Sequence, residues 1–134
     1  MKRTISVLLY IIMAFSLTAC GGNISNVAKL EWESEIYTEK EIESAIEVAT
    51  DYFKKNFSGC TLTSITYGGD EKTSDHVDWA TRHNADDVIV LISSFDVDGS
   101  GGDGSLNPNS TYDNWMWILV RTNGGKWQHV DHGY

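Results

Sequence analysis

Between Thr38 and Phe57 apolar residues return every three or four positions, at Ile42, Ala45, Ile46, Ala49, Tyr52, Phe53 and Phe57. That spacing is the signature of one buried helix face. Thr38 and Glu41 have the separation of a capping box. Glu39, Glu41 and Glu43 load the first turns and Lys54 and Lys55 the last, as the helix dipole favours, and Ser58-Gly59 supplies a stop. Beyond Gly59 the period shortens. Residues 60–67 alternate, are rich in Thr and run into Gly68-Gly69-Asp70, which predicts a strand. Val77, Ala80 and Thr81 predict a short helix over residues 74–84. Residues 88–95 form an unbroken aliphatic run, a strand covered on both faces. After an Asp- and Gly-rich loop over residues 96–110, a long strand over 111–121 meets Asn123-Gly124, a strong hairpin turn, before a last strand over 126–131. The order predicts an α+β fold: a long N-terminal helix packed on an antiparallel sheet, with a short second helix.

The start of the chain follows a different rule. Met1-Lys2-Arg3 is a basic lead, and Ile5 to Leu17 is an apolar run. The run suits the core of a signal peptide and falls short of the roughly 20 residues that a membrane-spanning helix needs. It closes on Leu17-Thr18-Ala19-Cys20 and Gly21-Gly22. This resembles the bacterial lipobox, in which the Cys thiol receives a diacylglycerol and the leader is cut on its N-terminal side. The resemblance implies a signal peptide over residues 1–19, lipidation of Cys20, and a cell-membrane address on the extracytoplasmic face. An ordinary signal peptide cut after Ala19, or an uncleaved anchor helix, are the alternatives. Residues 20–36 read as a tether that carries a single domain, residues 37–134, away from the headgroups.

Composition narrows the function classes. The 134 residues carry 10 Lys plus Arg against 19 Asp plus Glu, a formal charge of −9, so no basic stripe exists to hold nucleic acid. Cleavage after Ala19 would remove two cations and no acid, leaving the processed chain more acidic still. With two cysteines and one of them acylated, Cys60 has no partner within the chain, so the exported domain folds without a disulfide.

Three groups of residues carry candidate chemistry. Asp96, Asp98 and Ser100, followed by Gly101 and with Asp103 nearby, space hard oxygen donors as the opening of a calcium loop does. The twelfth position is Asn107, where an EF-hand needs a bidentate Glu, so only a looser calcium site is compatible; a solvated turn-rich loop is the alternative. Trp115 and Trp117 share a strand face, with Asp113 on the same side by alternation and Trp127 across the hairpin. These tryptophans serve either as core beneath the helix or as a wall against which a ligand stacks. His129 and His132 are three apart on a strand and therefore point to opposite faces, which argues against a shared metal ion. No acid–base pair stands out, so a binding module for a small molecule, glycan or envelope protein is the leading expectation. A small isomerase- or dehydratase-like enzyme with a pocket between helix and sheet is the alternative.

Longer stretches carry a family resemblance: Tyr52-Phe53, Gly59-Cys60-Thr61-Leu62-Thr63, Ser93 to Asp98, Gly102 to Pro108, Trp115 to Arg121 and the closing Gly133-Tyr134. From about residue 37 onward the chain resembles small bacterial lipoproteins of domain-of-unknown-function family 4829. The resemblance implies a cystatin-like roll of the nuclear-transport-factor-2-like superfamily and brings no activity, cofactor or catalytic residue with it.

Overall fold

The computed structural model describes residues 21–29 and 32–134. The expected signal peptide and Cys20 lie outside the described residues. Helix α1 (Glu39–Asn56) starts on the expected capping box: the Glu41 N–H donates to Thr38 Oγ1 at 3.3 Å and the Thr38 N–H to Glu41 Oε1 at 3.0 Å. Its apolar face is fully buried at Ile42, Ala45, Ile46, Ala49 and Phe53. Gly59, at φ +75°, then turns the chain into β2 (Cys60–Tyr67).

The helix expected over residues 74–84 is two shorter ones, α2 (Asp70–Ser74) and α3 (Asp78–Arg82). Thr73 is the reason the first begins early. It is buried, and its Oγ1 accepts the Val90 N–H at 3.2 Å, tying α2 onto the sheet. Strands β3 (Asp87–Val97), β4 (Thr111–Arg121) and β5 (Gln128–Gly133) complete an antiparallel run β2-β3-β4-β5. Asn123 and Gly124 both have positive φ and make the expected hairpin turn. The fold is α+β.

The sheet is covered on both faces. Helix α1 and residues such as Leu62, Ile65, Leu91, Phe95, Trp117 and Leu119 form the main core. Ala80 of α3 covers a second, smaller core of Val88, Val90, Ile118 and Val120. β3 is therefore buried on both faces, as its aliphatic run requires. Among the described residues no helix is long and apolar enough to cross a membrane.

The segment expected to be a tether is not free. β1 (Ala28–Lys29) pairs in parallel with Ser64 and Ile65, adding a fifth strand at the edge. Upstream, the Gly22 N–H donates to the Lys54 carbonyl at 2.9 Å, and Asn23 bridges to Cys60 and Leu62 through backbone hydrogen bonds of 2.8 and 2.9 Å. Ile24, Val27 and Trp32 pack on the main core. An unpaired β2 edge is a liability that this segment removes.

Candidate functional site

Three one-residue irregularities reshape the sheet where its face meets the C-terminal half of α1. In β2, Leu62 pairs with Phe95 but Ser64 with Ser94, leaving Thr63 as an extra residue. In β4, Trp115 pairs with Ser93 and Tyr112 with Phe95, so Asp113 and Asn114 together oppose Ser94. In β5, Ile118 meets Asp131 while Leu119 meets His129, so Val130 is extra. Each bulge shifts the alternation of side chains by one position.

The bulge in β4 decides the placement of Asp113. Asn114 sits at φ +57°, and Tyr112 rather than Asp113 joins Trp115 on the core face, its ring stacked on Phe95 at 5.2 Å. Asp113 is exposed, which corrects the expectation that it shares the Trp115 face. The tryptophans separate as well. Trp117 is completely buried and its indole N–H donates to Ser93 Oγ at 2.7 Å. Trp127 does not stand beside the other two. It lies at the opposite end of α1, where its N–H donates to the Glu41 carbonyl at 3.1 Å and the Arg121 guanidinium covers its ring at 4.4 Å.

The bulge in β5 has the larger consequence. It brings His129 and His132 onto the same face, against the expectation of opposite faces, with Nε2 of the first 3.0 Å from Nδ1 of the second. One ring donates its N–H to the lone pair of the other. His129 stacks on Tyr52 at 4.0 Å between ring centroids; His132 lies 5.7 Å from Trp115 and 5.3 Å from Phe57. Burial pushes the His129 pKa down to about 4, and the nearby His132 adds to this while Asp131 opposes it. Burial also lowers the pKa of His132 against the same Asp131. Both rings are held neutral.

These side chains wall a cleft of about 310 Å³ between the end of α1 and the loop joining β3 to β4. Tyr52, Phe57, Trp115 and His132 provide the aromatic side, and Asp103 and Leu106 the loop side. The loop is held by backbone hydrogen bonds to the start of β2 and within itself. The Asp98 N–H donates to the Gly59 carbonyl at 2.9 Å, and the Leu106 N–H to the Gly101 carbonyl at 3.1 Å. One polar group here is unmet. Trp115 is 9% exposed, and its indole Nε1 is, among the described residues, the one buried side-chain nitrogen or oxygen without a hydrogen-bond partner. Leaving such a donor buried and unpaired costs about 1–3 kcal/mol.

Cys60 also lines the cleft, but burial, with the charges of Asp98 and Asp103, pushes its thiol up to about 11. It is a protonated, buried hydrophobe at neutral pH. The candidate calcium donors are not drawn to one point. Asp96 accepts from Thr111 Oγ1 at 2.7 Å, Asp98 from the Ser100 N–H at 2.9 Å, and Asp103 from the Ser105 N–H at 3.0 Å. Among the described residues no three His, Cys, Asp or Glu side chains gather at one point.

A second groove of about 570 Å³ runs between α1 and the β4–β5 turn, past Lys40, Glu41, Arg121 and Trp127. It is larger, yet its central groups are satisfied: Arg121 pairs with Glu41 and with Asp87, and Trp127 has its carbonyl partner. The smaller cleft, with an unpaired donor and a histidine pair, is the better chemical candidate. No protein-family model, curated protein or solved structure matches this chain.

Proposed function

We propose that the chain is a bacterial lipoprotein, held at the extracytoplasmic face of the cell membrane by acylated Cys20, whose cystatin-like roll binds a small molecule in the aromatic cleft without catalysis. The observation that carries the binding reading is the cleft walled by Tyr52, Phe57, Trp115 and His132, beside which the Trp115 indole N–H is buried without a partner. A buried donor without a partner is rare in folded proteins, and a ligand acceptor that reached it through a small shift of the Trp115 ring would satisfy it. The aromatic rings beside it favour a flat ligand, and the acidic surroundings of Asp98 and Asp103 favour a neutral or cationic one over an anion.

The test uses the chain from Gly21 onward and 7-amino-4-methylcoumarin, a neutral planar lactone with a carbonyl acceptor. Binding at one site should shift the Trp115 indole N–H resonance. Trp115→Phe, which keeps a ring and removes the donor, should weaken binding about fivefold to tenfold, the worth of one hydrogen bond. No binding, or binding that leaves the Trp115 resonance unmoved, refutes the cleft as the site. A second reading, an isomerase- or dehydratase-like enzyme, has one feature in its favour: His132 lines the cleft with His129 bonded behind it, the arrangement of an oriented base.

A further inference from the structure

The two residues that follow Cys20 are Gly21 and Gly22, and neither has room for a side chain. A Cβ on Gly21 would lie 2.0 Å from the Lys54 carbonyl oxygen; on Gly22 it would lie 2.5 Å from the Phe53 carbonyl and 2.8 Å from the Phe53 ring. Gly22 does not have positive φ, so close approach to α1 is what requires it to be glycine. Gly22 and Asn23 are then fixed by backbone hydrogen bonds to Lys54 and Cys60. Residues 56–58 and Cys60, next along the same stretch, form one wall of the aromatic cleft.

We propose that the end of the domain built from the C-terminus of α1 and the start of β2 is a membrane-facing surface, held flat on the bilayer by the docked Gly21-Gly22 pair, with the aromatic cleft at headgroup level. This rests on the reading of Cys20 as the acylated residue and deepens it. Gly21 is the residue joined to Cys20, so an acyl chain on that thiol attaches one residue from the docked pair. A free linker of this length would instead let the domain roam about 20 Å from its anchor. Two acyl chains hold stably where one is marginal, so the anchor sets the orientation even though Asp98 and Asp103 lie near this end. Other groups there suit an interface. Lys54 and Lys55 are exposed on the last turn of α1, and Tyr134, 74% exposed, reaches the outer side of Trp115 at 5.4 Å. The opposite end of the 18-residue α1, with the Asn123-Gly124 turn, is about 27 Å away along the helix axis.

The experiment takes the acylated full chain in vesicles of phosphatidylethanolamine and phosphatidylglycerol that contain a headgroup-nitroxide lipid. An environment-sensitive fluorophore is placed at Asn56→Cys in one sample and at Asn123→Cys in another; buried Cys60 does not compete for the label. The nitroxide should remove most of the emission at position 56 and almost none at 123. Gly22→Val, which forces the segment off α1, should keep the acyl mass while emission at 56 escapes quenching as it does at 123. Equal quenching at both positions on a chain carrying the diacylglyceryl mass overturns the orientation and leaves the lipoprotein reading standing. So does an unchanged pattern in Gly22→Val. A chain without that mass overturns both.

Discussion

The histidine pair gives the domain an acid-sensitive core whose size follows from the geometry. His129 has a folded pKa of about 4 because the rings of Tyr52, Trp117 and His132 exclude water from it. In the unfolded chain the imidazole returns to about 6.5. Between those values the unfolded state binds more protons, so stability rises with pH and is lost as pH falls from about 6.5 towards 4. For this one group the loss at pH 5 is about 2 kcal/mol unscreened, and about 1 kcal/mol once the partly exposed ring is allowed for. His132 shifts in the same direction and adds to it. A proton on each ring would also set two N–H groups against each other across 3.0 Å, so the pair cannot take two protons and keep its contact. Glu41 and Asp70, whose pKa values are lowered by hydrogen bonds, lose their contribution only as pH falls below the ordinary carboxylate range, outside this window. Urea unfolding at pH 7.5 and pH 5 measures the effect. The chain should lose about 1 kcal/mol or more over that interval, and His129→Gln should lose markedly less. Equal losses in the two proteins refute the assignment.

Other changes separate structural from unmet groups. Trp117→Phe forfeits a buried hydrogen bond to Ser93 and leaves a void, so it should cost about 2–4 kcal/mol, whereas Trp115→Phe removes an unpaired donor and should stay within about 1 kcal/mol of the parent in the same urea titration. A Trp115→Phe cost equal to that of Trp117→Phe contradicts the idea of an orphaned N–H. The Cys60 thiol, pushed up to about 11 and 2% exposed, should react with a disulfide reagent at pH 7.5 only after urea unfolds the chain; reaction of the native protein at the rate of a free thiol counts against this placement. Asn114→Val places a β-branched side chain at φ +57° and should cost about 1–2 kcal/mol, while Asn114→Gly should be neutral or slightly stabilising. If both are tolerated equally, the β4 bulge is not held by that backbone conformation.

Much of the fold is legible because its long elements follow uninterrupted periods. The helix face from Ile42 to Phe57 and the capping box at Thr38 and Glu41 could be read directly, since nothing tertiary overrides them. The limits of β2 and β4 were equally plain from flanking glycines and the Asn123-Gly124 turn. Where the reading failed, a long-range contact won. Thr73 reaches Val90 and draws α2 forward of the expected helix. Gly21 to Lys29, polar and glycine-rich, has a linker's composition, but an open strand edge and a groove beside Phe53 give it somewhere to bind.

The site was harder to read than the fold for a definite reason. A strand's side chains alternate with a period of two, and a single extra residue inverts that phase without any mark in hydrophobicity. Val130 is apolar and looks like any strand residue, yet as the bulged position it turns His132 from the far face to the face of His129. In β4 the extra residue exposes Asp113 and gives its place to Tyr112. The one local hint is Asn114, a residue type that tolerates the left-handed region and is poorly suited to a strand interior. Asp96, Asp98 and Asp103, the oxygen donors spaced along the loop, each accept from a different hydroxyl or amide of the loop region. What the bulges assemble is a cleft whose border carries the unpaired Trp115 N–H and a histidine pair with lowered pKa values, which is where the proposed ligand would sit.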